Sequence, residues 1–167
     1  FSWNSDKRNC LFARCSSGIA DILKNYKPDI ALVTVDRVET LAIASICALM
    51  NIPIAHVQGG EVSGTIDESI RHAVTKLSHI HFVATNQAKK RVIKLGENPK
   101  YVFNVGCPYI DIIDKEKNNN LVNPNFSEHF GIFTMHSVTT DIREAKLHFI
   151  EVSKALETIS KEFFIFA

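Results

Sequence analysis

The sequence lacks charge imbalance, long apolar runs and cysteine pairs, and each absence excludes a class of protein. Its 19 basic and 18 acidic residues leave a formal net charge of +1, so no basic patch predicts a nucleic-acid partner. No apolar run approaches the roughly 18 residues that cross a bilayer, and we expect no membrane partner. Its four cysteines form no Cys-x-x-Cys pair, which indicates reduced thiols of a cytoplasmic protein.

Short apolar runs alternate with longer helical patterns along the 167 residues. Strands are predicted at 29–35, 52–57, 79–85, 101–106, 130–136 and 163–167. Helices are predicted at 37–50, 66–79 and 86–96, from Pro108 onward, and at 141–160. The alternation predicts an α/β fold, a parallel sheet with helices on both faces.

The polar segment 114–127 interrupts this pattern and is poor in large apolar groups, so we interpret it as a linker. The chain has no initiator methionine and stops inside the apolar run "EFFIFA". We therefore expect it to be an internal fragment of a longer protein.

Polar residues follow three of the predicted strands. Asp36 and Arg37 follow the first, His56 to Glu61 the second, and His136 ends the strand after the linker. Ligands of open parallel sheets bind beyond the carboxyl ends of the strands. Loops are polar in any case, so position alone leaves a shared site open.

The loop "HVQGGEVSGTIDESIRH", residues 56–72, carries more information. Gly59 and Gly60 permit positive φ and close backbone approach, although they lack the Gly-x-Gly-x-x-Gly order of a dinucleotide site. Thr65 and Glu68 fit a capping box. Asp67 then lies four residues before Arg71, so spacing alone favours a capped helix with an Asp67–Arg71 ion pair.

Two other polar groups suggest structural roles. His79 and His81 are predicted to share one face of a strand, but no third ligand has recognisable spacing, so we predict hydrogen-bonded histidines and no metal. The basic run from Lys89 to Arg91 is interpreted as a solvated helix face.

The run "GGEVSGTIDESIRHAVTKLSH", with "TVDRVETLAIA" upstream and "FTMHSVTTD" downstream, strongly resembles the UDP-N-acetylglucosamine 2-epimerase family. The resemblance begins at about Ile19 and is closest to the hydrolysing branch of sialic-acid-type biosynthesis. It implies Rossmann-like parallel sheets in a glycosyltransferase-B-like, two-domain architecture with the substrate in the cleft. Residues 1–113 would end the first domain and 128–167 begin the second, and full-length relatives are commonly homodimers.

The same resemblance implies the chemistry. The family eliminates UDP from a UDP-sugar to give a glycal, and water then adds to give N-acetylmannosamine; no cofactor or metal is required. Such a reaction needs carboxylates for proton transfer and cations beside the departing diphosphate. The implied catalytic positions are Asp36, Gln58, Asp67 and His136, and the implied substrate-binding positions are Arg37, His56, Glu61 and Arg71.

The chain departs from the family pattern at three positions. Val35 replaces a glycine, Ser137 replaces a proline, and Gln58 replaces a catalytic glutamate. Because an amide cannot carry a proton as a carboxylate does, the choice stays open between an active hydrolysing epimerase and a weakly catalytic binding homologue. A UDP-diacetamido-trideoxy sugar is an alternative substrate. The loop argues against a third interpretation, a non-hydrolysing epimerase or glycosyltransferase. We expect residues 1–167 alone to be inactive.

Overall fold

The computed structural model describes residues 5–117, 130–135, 142–160 and 164–166. The chain divides into two compact units, residues 1–112 and 113–167. The cysteines are free thiols. Within the described ranges, no helix combines the length and apolar character needed to span a membrane.

The first unit alternates helices with four parallel strands in the order β1-β2-β3-β4. The strands are β1 (Ala31–Val33), β2 (Ile54–Val57), β3 (Ile80–Val83) and β4 (Val102–Asn104). The helices are α1 (Ser5–Tyr26), α2 (Val38–Leu49), α3 (Ile66–Leu77) and α4 (Asn86–Lys94), with a 3-10 turn at Pro99–Tyr101. Helix α5 (Pro108–Lys117) contains the boundary between the two units. The parallel α/β prediction is confirmed, whereas α1 and the 3-10 turn were not predicted.

One face of this sheet holds the buried core. The register pairs Val33 with His56, His56 with His81 and His81 with Val102, so these four side chains form one row. Side chains two residues before or after these in each strand lie on the same face. This face packs against α1, α2 and α3 through Leu23, Ala44, Cys47, Ile70 and Val74, and against α4 through Ala88 and Val92.

The opposite face carries the alternate residues of each strand. Leu32 is 69% exposed and Phe103 is 44% exposed there. The centroids of the Phe82 and Phe103 rings on this face are 5.9 Å apart. The prediction that helices cover both faces is therefore wrong for the described part of the chain. The sequence misled because it gives the alternation of elements but not the side on which each helix packs.

The second unit contains β5 (Phe130–Ile132), α6 (Ile142–Ile159) and β6 (Phe164–Phe166), with β5 parallel to β6. The predicted strand–helix–strand order is confirmed. Helix α5 continues through Lys117, so the first four residues of the predicted 114–127 linker are helical. The rest of that segment and His136 lie outside the described residues.

Val35 has a backbone conformation that its side chain disfavours. Its φ is +66°, in the left-handed region, where a β-branched residue is a genuine outlier. A glycine is what the resembled family has here. The left-handed conformation costs an L-residue about 1–2 kcal/mol, and the Val35 side chain is 47% exposed, so little packing offsets that cost.

We therefore expect Val35→Gly to stabilise the protein by about 1 kcal/mol, because the relieved strain exceeds the added chain entropy of glycine. The urea midpoint of unfolding measures the effect. Val35→Ala, which removes the branching and keeps Cβ, is the matched control and is expected to gain less. A lower midpoint for the glycine variant contradicts the prediction.

Candidate functional site

The site residues lie at one edge of the sheet, because parallel strands place their carboxyl ends together. Asp36 follows β1 and Gln58 follows β2. Gln58 has a φ of +62°, and its backbone N–H donates to the Phe82 carbonyl at 2.8 Å. Its side-chain Nε2 donates to Sγ of Cys107, beyond β4, at 3.3 Å. This contact turns the amide at position 58 toward the β4 side of the edge.

Arg71 connects the end of β1 to the loop after β2. Ile70 and Val74 anchor α3 in the core, and Arg71 between them is only 8% exposed. Its guanidinium donates to the Asp36 carboxylate and, through Nη1, to the Glu61 carbonyl at 2.7 Å. The predicted Asp67–Arg71 ion pair is therefore wrong, because the Arg71 side chain points into the site and meets the carboxylate that follows β1.

The start of α3 is as predicted, but its hydrogen bonds differ. Thr65 is the N-cap residue, yet its side chain accepts no cap hydrogen bond and its hydroxyl donates to Asp67 Oδ2 at 3.4 Å. Glu68 Oε2 accepts from the N–H groups of Ser63 and Gly64, each at 2.7 Å. These bonds, that from Gly64 first, lower the pKa of Glu68. The expected capping box does not form, and the Glu68 carboxylate instead binds N–H groups of the turn that precedes the helix.

Gly59 and Gly60 lie where a side chain would crowd its neighbours, most severely at Gly60. A Cβ on Gly59 would lie 3.0 Å from both His56 Nδ1 and Thr75 Oγ1. Gly60 has a φ of +81°, and a Cβ there would lie 2.5 Å from the Ala88 carbonyl oxygen. The glycine pair thus lets the turn rest directly on α3 and α4.

Arginines from two helices hold this turn by consecutive carbonyls. Arg91 Nη1 of α4 donates to the Gly60 carbonyl at 3.1 Å, and Arg71 of α3 holds the next carbonyl, that of Glu61. Arg91 is half-buried, so the interpretation of the 89–91 run as a solvated face is wrong for this residue. Its periodicity within α4 did not reveal a contact with a loop about thirty residues earlier.

His56 lies within β2 and faces α3 rather than solvent. It is 1% exposed, and Nδ1 lies 3.2 Å from Thr75 Oγ1. Burial, and after it the charges of His81 and Arg71, lower the pKa of His56 to about 4. The imidazole is therefore neutral at physiological pH. Its implied place among the substrate contacts stays a prediction, and Gly59 of the turn packs against the ring.

This buried histidine makes stability depend on pH. The unfolded chain binds a proton at His56 below about pH 6.5, whereas the folded chain does so only near pH 4. Stability is thus fully present above about 6.5 and falls with pH toward 4, by about 3 kcal/mol for this group. The buried His81 has a pKa lowered chiefly by burial and acts in the same direction.

We expect His56→Gln to reduce the loss of stability between pH 6.5 and 4, measured from urea midpoints at several pH values. His148→Gln is the control, since His148 lies on α6 with its side chain 53% exposed and should leave the slope unchanged. An unchanged slope in His56→Gln would show that His56 is protonated equally in both states.

The remaining predicted residues are spread around this edge. Arg37 is exposed at the N-cap of α2 and makes no side-chain cap bond. His79 lies before β3 and accepts from the Ile54 N–H at 3.3 Å, while His81 Nε2 lies 3.3 Å from Glu97 Oε2. Both histidines are hydrogen-bonded as predicted, but only His81 lies in the strand. Asp36, Glu61 and Arg71 are thus brought into direct contact, and His136 is outside the described residues.

This edge of the sheet carries carboxylates, a side-chain amide, and both exposed and buried cations. Such a set of groups suits proton transfer on an anionic substrate. The sequence analysis did not identify Thr75 and Arg91, which contact the glycine turn from α3 and α4. Thr75 follows Arg71 by four residues on the buried side of α3, and that spacing is the one signal for it.

Comparisons with known proteins agree on one family. The family model described as UDP-N-acetylglucosamine 2-epimerase matches residues 2–167. A Campylobacter jejuni relative, named GDP/UDP-N,N'-diacetylbacillosamine 2-epimerase (hydrolyzing), is 36% identical over 160 residues, covering 90% of this chain and 41% of the relative. The UDP-N-acetylglucosamine 2-epimerase of Neisseria meningitidis is 37% identical over 144 residues, covering 83% and 38%.

A solved structure supports the fold. The UDP-GlcNAc 2-epimerase of Methanocaldococcus jannaschii, crystallised with UDP-GlcNAc and UDP, has a TM-score of 0.78 at 22% identity and covers 92% of this chain and 45% of that one. The α/β fold is that of glycosyltransferase-B-type epimerases. The chain spans about two fifths of the length of its curated relatives. Since the family model extends over both units and includes the whole glycine turn, the chain belongs to the UDP-N-acetylglucosamine 2-epimerase family.

Proposed function

We propose that the complete protein is a hydrolysing 2-epimerase that converts UDP-N-acetylglucosamine to UDP and N-acetylmannosamine. The observation that carries this proposal is the contact of Arg71 with both Asp36 and the Glu61 carbonyl. This contact joins two of the implied site positions, Asp36 and Arg71, to the backbone of the glycine turn. The proposed setting is the cytoplasm, in sialic-acid-type biosynthesis, with the complete protein acting as a homodimer.

The proposed reaction begins with elimination. The C2 hydrogen of the sugar is scarcely acidic, because no carbonyl lies beside C2. As the C1–O bond breaks, UDP leaves with the electron pair and C1 gains oxocarbenium character. A carboxylate then takes the C2 proton and a C1–C2 double bond forms, giving the glycal. Water finally adds, with hydroxyl at C1 and a proton at C2 on the opposite face, which yields N-acetylmannosamine.

The contacts of the site residues support the following division of these tasks. Asp67 is half-buried and, within the described ranges, is paired with no cation; it is bonded by the Thr65 hydroxyl. It is our candidate for proton transfer at C2. Asp36 is held by Arg71, so we assign it to orientation and charge balance beside C2. Arg71 is already engaged, and the exposed Arg37 is the better candidate to meet the departing diphosphate.

A second candidate substrate is a UDP-diacetamido-trideoxy sugar. The observation that favours it is the name of the Campylobacter jejuni relative, which matches 90% of this chain. That reaction would have the same chemistry at C1 and C2, and the two substrates differ only in the groups at C4 and C6.

The complete protein would be incubated with each UDP-sugar, and UDP and the free sugar would be followed separately. Release of UDP together with a free 2-epimer supports the proposal, and the faster substrate identifies the sugar. Interconversion of the two UDP-sugars without release of UDP contradicts it. Residues 1–167 alone, as the control, are expected to release no UDP.

A further inference from the structure

We propose that Thr75 is a positioning residue of this site, whose hydroxyl fixes the position of the glycine turn relative to the Arg71–Asp36 pair. The proposal rests on the proposed function for its kinetic consequences, whereas its geometric content stands on the contacts alone. Thr75 is fully buried and belongs to no residue set implied by the sequence.

The first step is the direction of two hydrogen bonds. Thr75 Oγ1 donates its single proton to the Arg71 carbonyl, one helical turn earlier, at 3.0 Å. Its oxygen is therefore an acceptor toward His56 Nδ1, at 3.2 Å. His56 must carry its proton on Nδ1, because an acceptor faces that nitrogen. Thr75 thus fixes the tautomer of His56 and joins β2 to α3.

The second step is the position of Gly59. The site of its absent Cβ lies 3.0 Å from both His56 Nδ1 and Thr75 Oγ1, so the turn rests on this hydrogen bond. The same turn presents Gln58 on one side and the Glu61 carbonyl on the other. A change in the His56–Thr75 contact therefore moves the turn relative to the sheet.

The third step is the position of Arg71. The helical turn that the Thr75 hydroxyl closes is the one from which the Arg71 guanidinium reaches Asp36 and the Glu61 carbonyl. The hydroxyl thus contacts both His56, on which the glycine turn packs, and the backbone carbonyl of Arg71. A positioning error of about 1 Å in such a site can cost roughly 100-fold in rate.

The decisive comparison uses Thr75→Val, which keeps the shape and removes the hydroxyl, and Thr75→Ser, which restores it. In the complete protein, Thr75→Val is expected to lower kcat by roughly 10- to 100-fold with a smaller change in KM. Thr75→Ser should recover kcat to within about threefold, since the hydrogen bonds return.

Ser78→Ala is the matched control. Ser78 is buried just after the same helix and its hydroxyl donates to the Val74 carbonyl at 2.7 Å, with no histidine attached. It loses the same kind of bond and should leave kcat unchanged. If Thr75→Val does not fold, Thr75→Cys, with similar bulk and a weak acceptor, takes its place with the same expectation.

Amide NMR signals of Gly59 and Gly60 separate this proposal from the proposed function. They should move in Thr75→Val and return in Thr75→Ser even if neither UDP-sugar is turned over, in which case only the epimerase assignment fails. Unmoved glycine signals, or wild-type kcat in a folded Thr75→Val protein that turns over a UDP-sugar, overturn the positioning role.

Discussion

Replacing Asp67 by asparagine is expected to lower kcat of the complete protein by roughly 10²–10⁴-fold with little change in stability, because a general acid or base contributes about this much. Asp67 lies in the first turn of α3, where the carboxylate meets the hydroxyl of Thr65 at 3.4 Å. Asparagine has nearly the same shape and keeps an acceptor for that hydroxyl, so the fold should tolerate it.

Asp67 is a cleaner test than Asp36. The guanidinium that binds Asp36 belongs to a side chain only 10% exposed, and a buried charge left without its partner is destabilising. An Asp36 variant would therefore lose activity and stability together. Asp67 holds no such cation within the described ranges, so its kinetic effect can be measured alone.

Glu68→Gln is the matched control, since it makes the same charge change on the neighbouring residue. Glu68 accepts from the N–H groups of Ser63 and Gly64, and a glutamine oxygen can still accept these hydrogen bonds in part. Initial rates of UDP release over a range of substrate concentrations give kcat and KM for both variants. A wild-type kcat for Asp67→Asn would remove Asp67 from the proton-transfer role.

The fold was largely predictable because local patterns determine it. Apolar alternation and glycine stops located the strands, and Gly96, at a φ of +94°, ends α4 as predicted. The face on which helices pack was not predictable, because the pattern of a buried strand is the same whichever side is covered. Helix α1 was missed, although Phe12, Cys15, Ile19 and Leu23 recur at the spacing of one helical face.

The resemblance named Asp36, Glu61 and Arg71 as positions of one site, and the structure brings them together through the Arg71 guanidinium. Their roles in the reaction stay predictions. Spacing along α3 nevertheless paired Arg71 with Asp67, since a helical wheel sees only residues of the same helix. The true partner follows β1, thirty-five residues earlier. Contacts between distant segments, including those of Arg91 and Thr75, follow from the assembled sheet and leave no local signal.

Gln58→Glu is expected to raise kcat by about 100-fold or more, because it returns a carboxylate where the family uses one for proton transfer. The surrounding framework is already in place. Gly59 and Gly60 are closely packed, and Arg71 and Arg91 hold the turn by its carbonyls. The backbone at position 58 keeps a positive φ with either side chain, so the substitution changes chemistry rather than shape.

The present contact of Gln58 indicates which group a glutamate side chain at this position would meet. Its Nε2 donates to Cys107 Sγ at 3.3 Å, a weak interaction that a glutamate side chain cannot make as a donor. The thiol can instead donate to a carboxylate, since a thiol is a weak donor as well as a weak acceptor. The introduced carboxylate would then keep a partner and remain directed toward β4, and the folded protein should lose little stability.

Asn25→Asp is the matched control for this gain, because it makes the same amide-to-carboxylate change at an exposed position of α1 and should leave kcat unchanged. Initial rates of UDP release give kcat for both variants. A gain of about 100-fold means that Gln58 is what makes the native chain weakly catalytic. Equal rates for native and Gln58→Glu proteins would mean that Asp67 suffices for proton transfer, and that position 58 carries no proton in this enzyme.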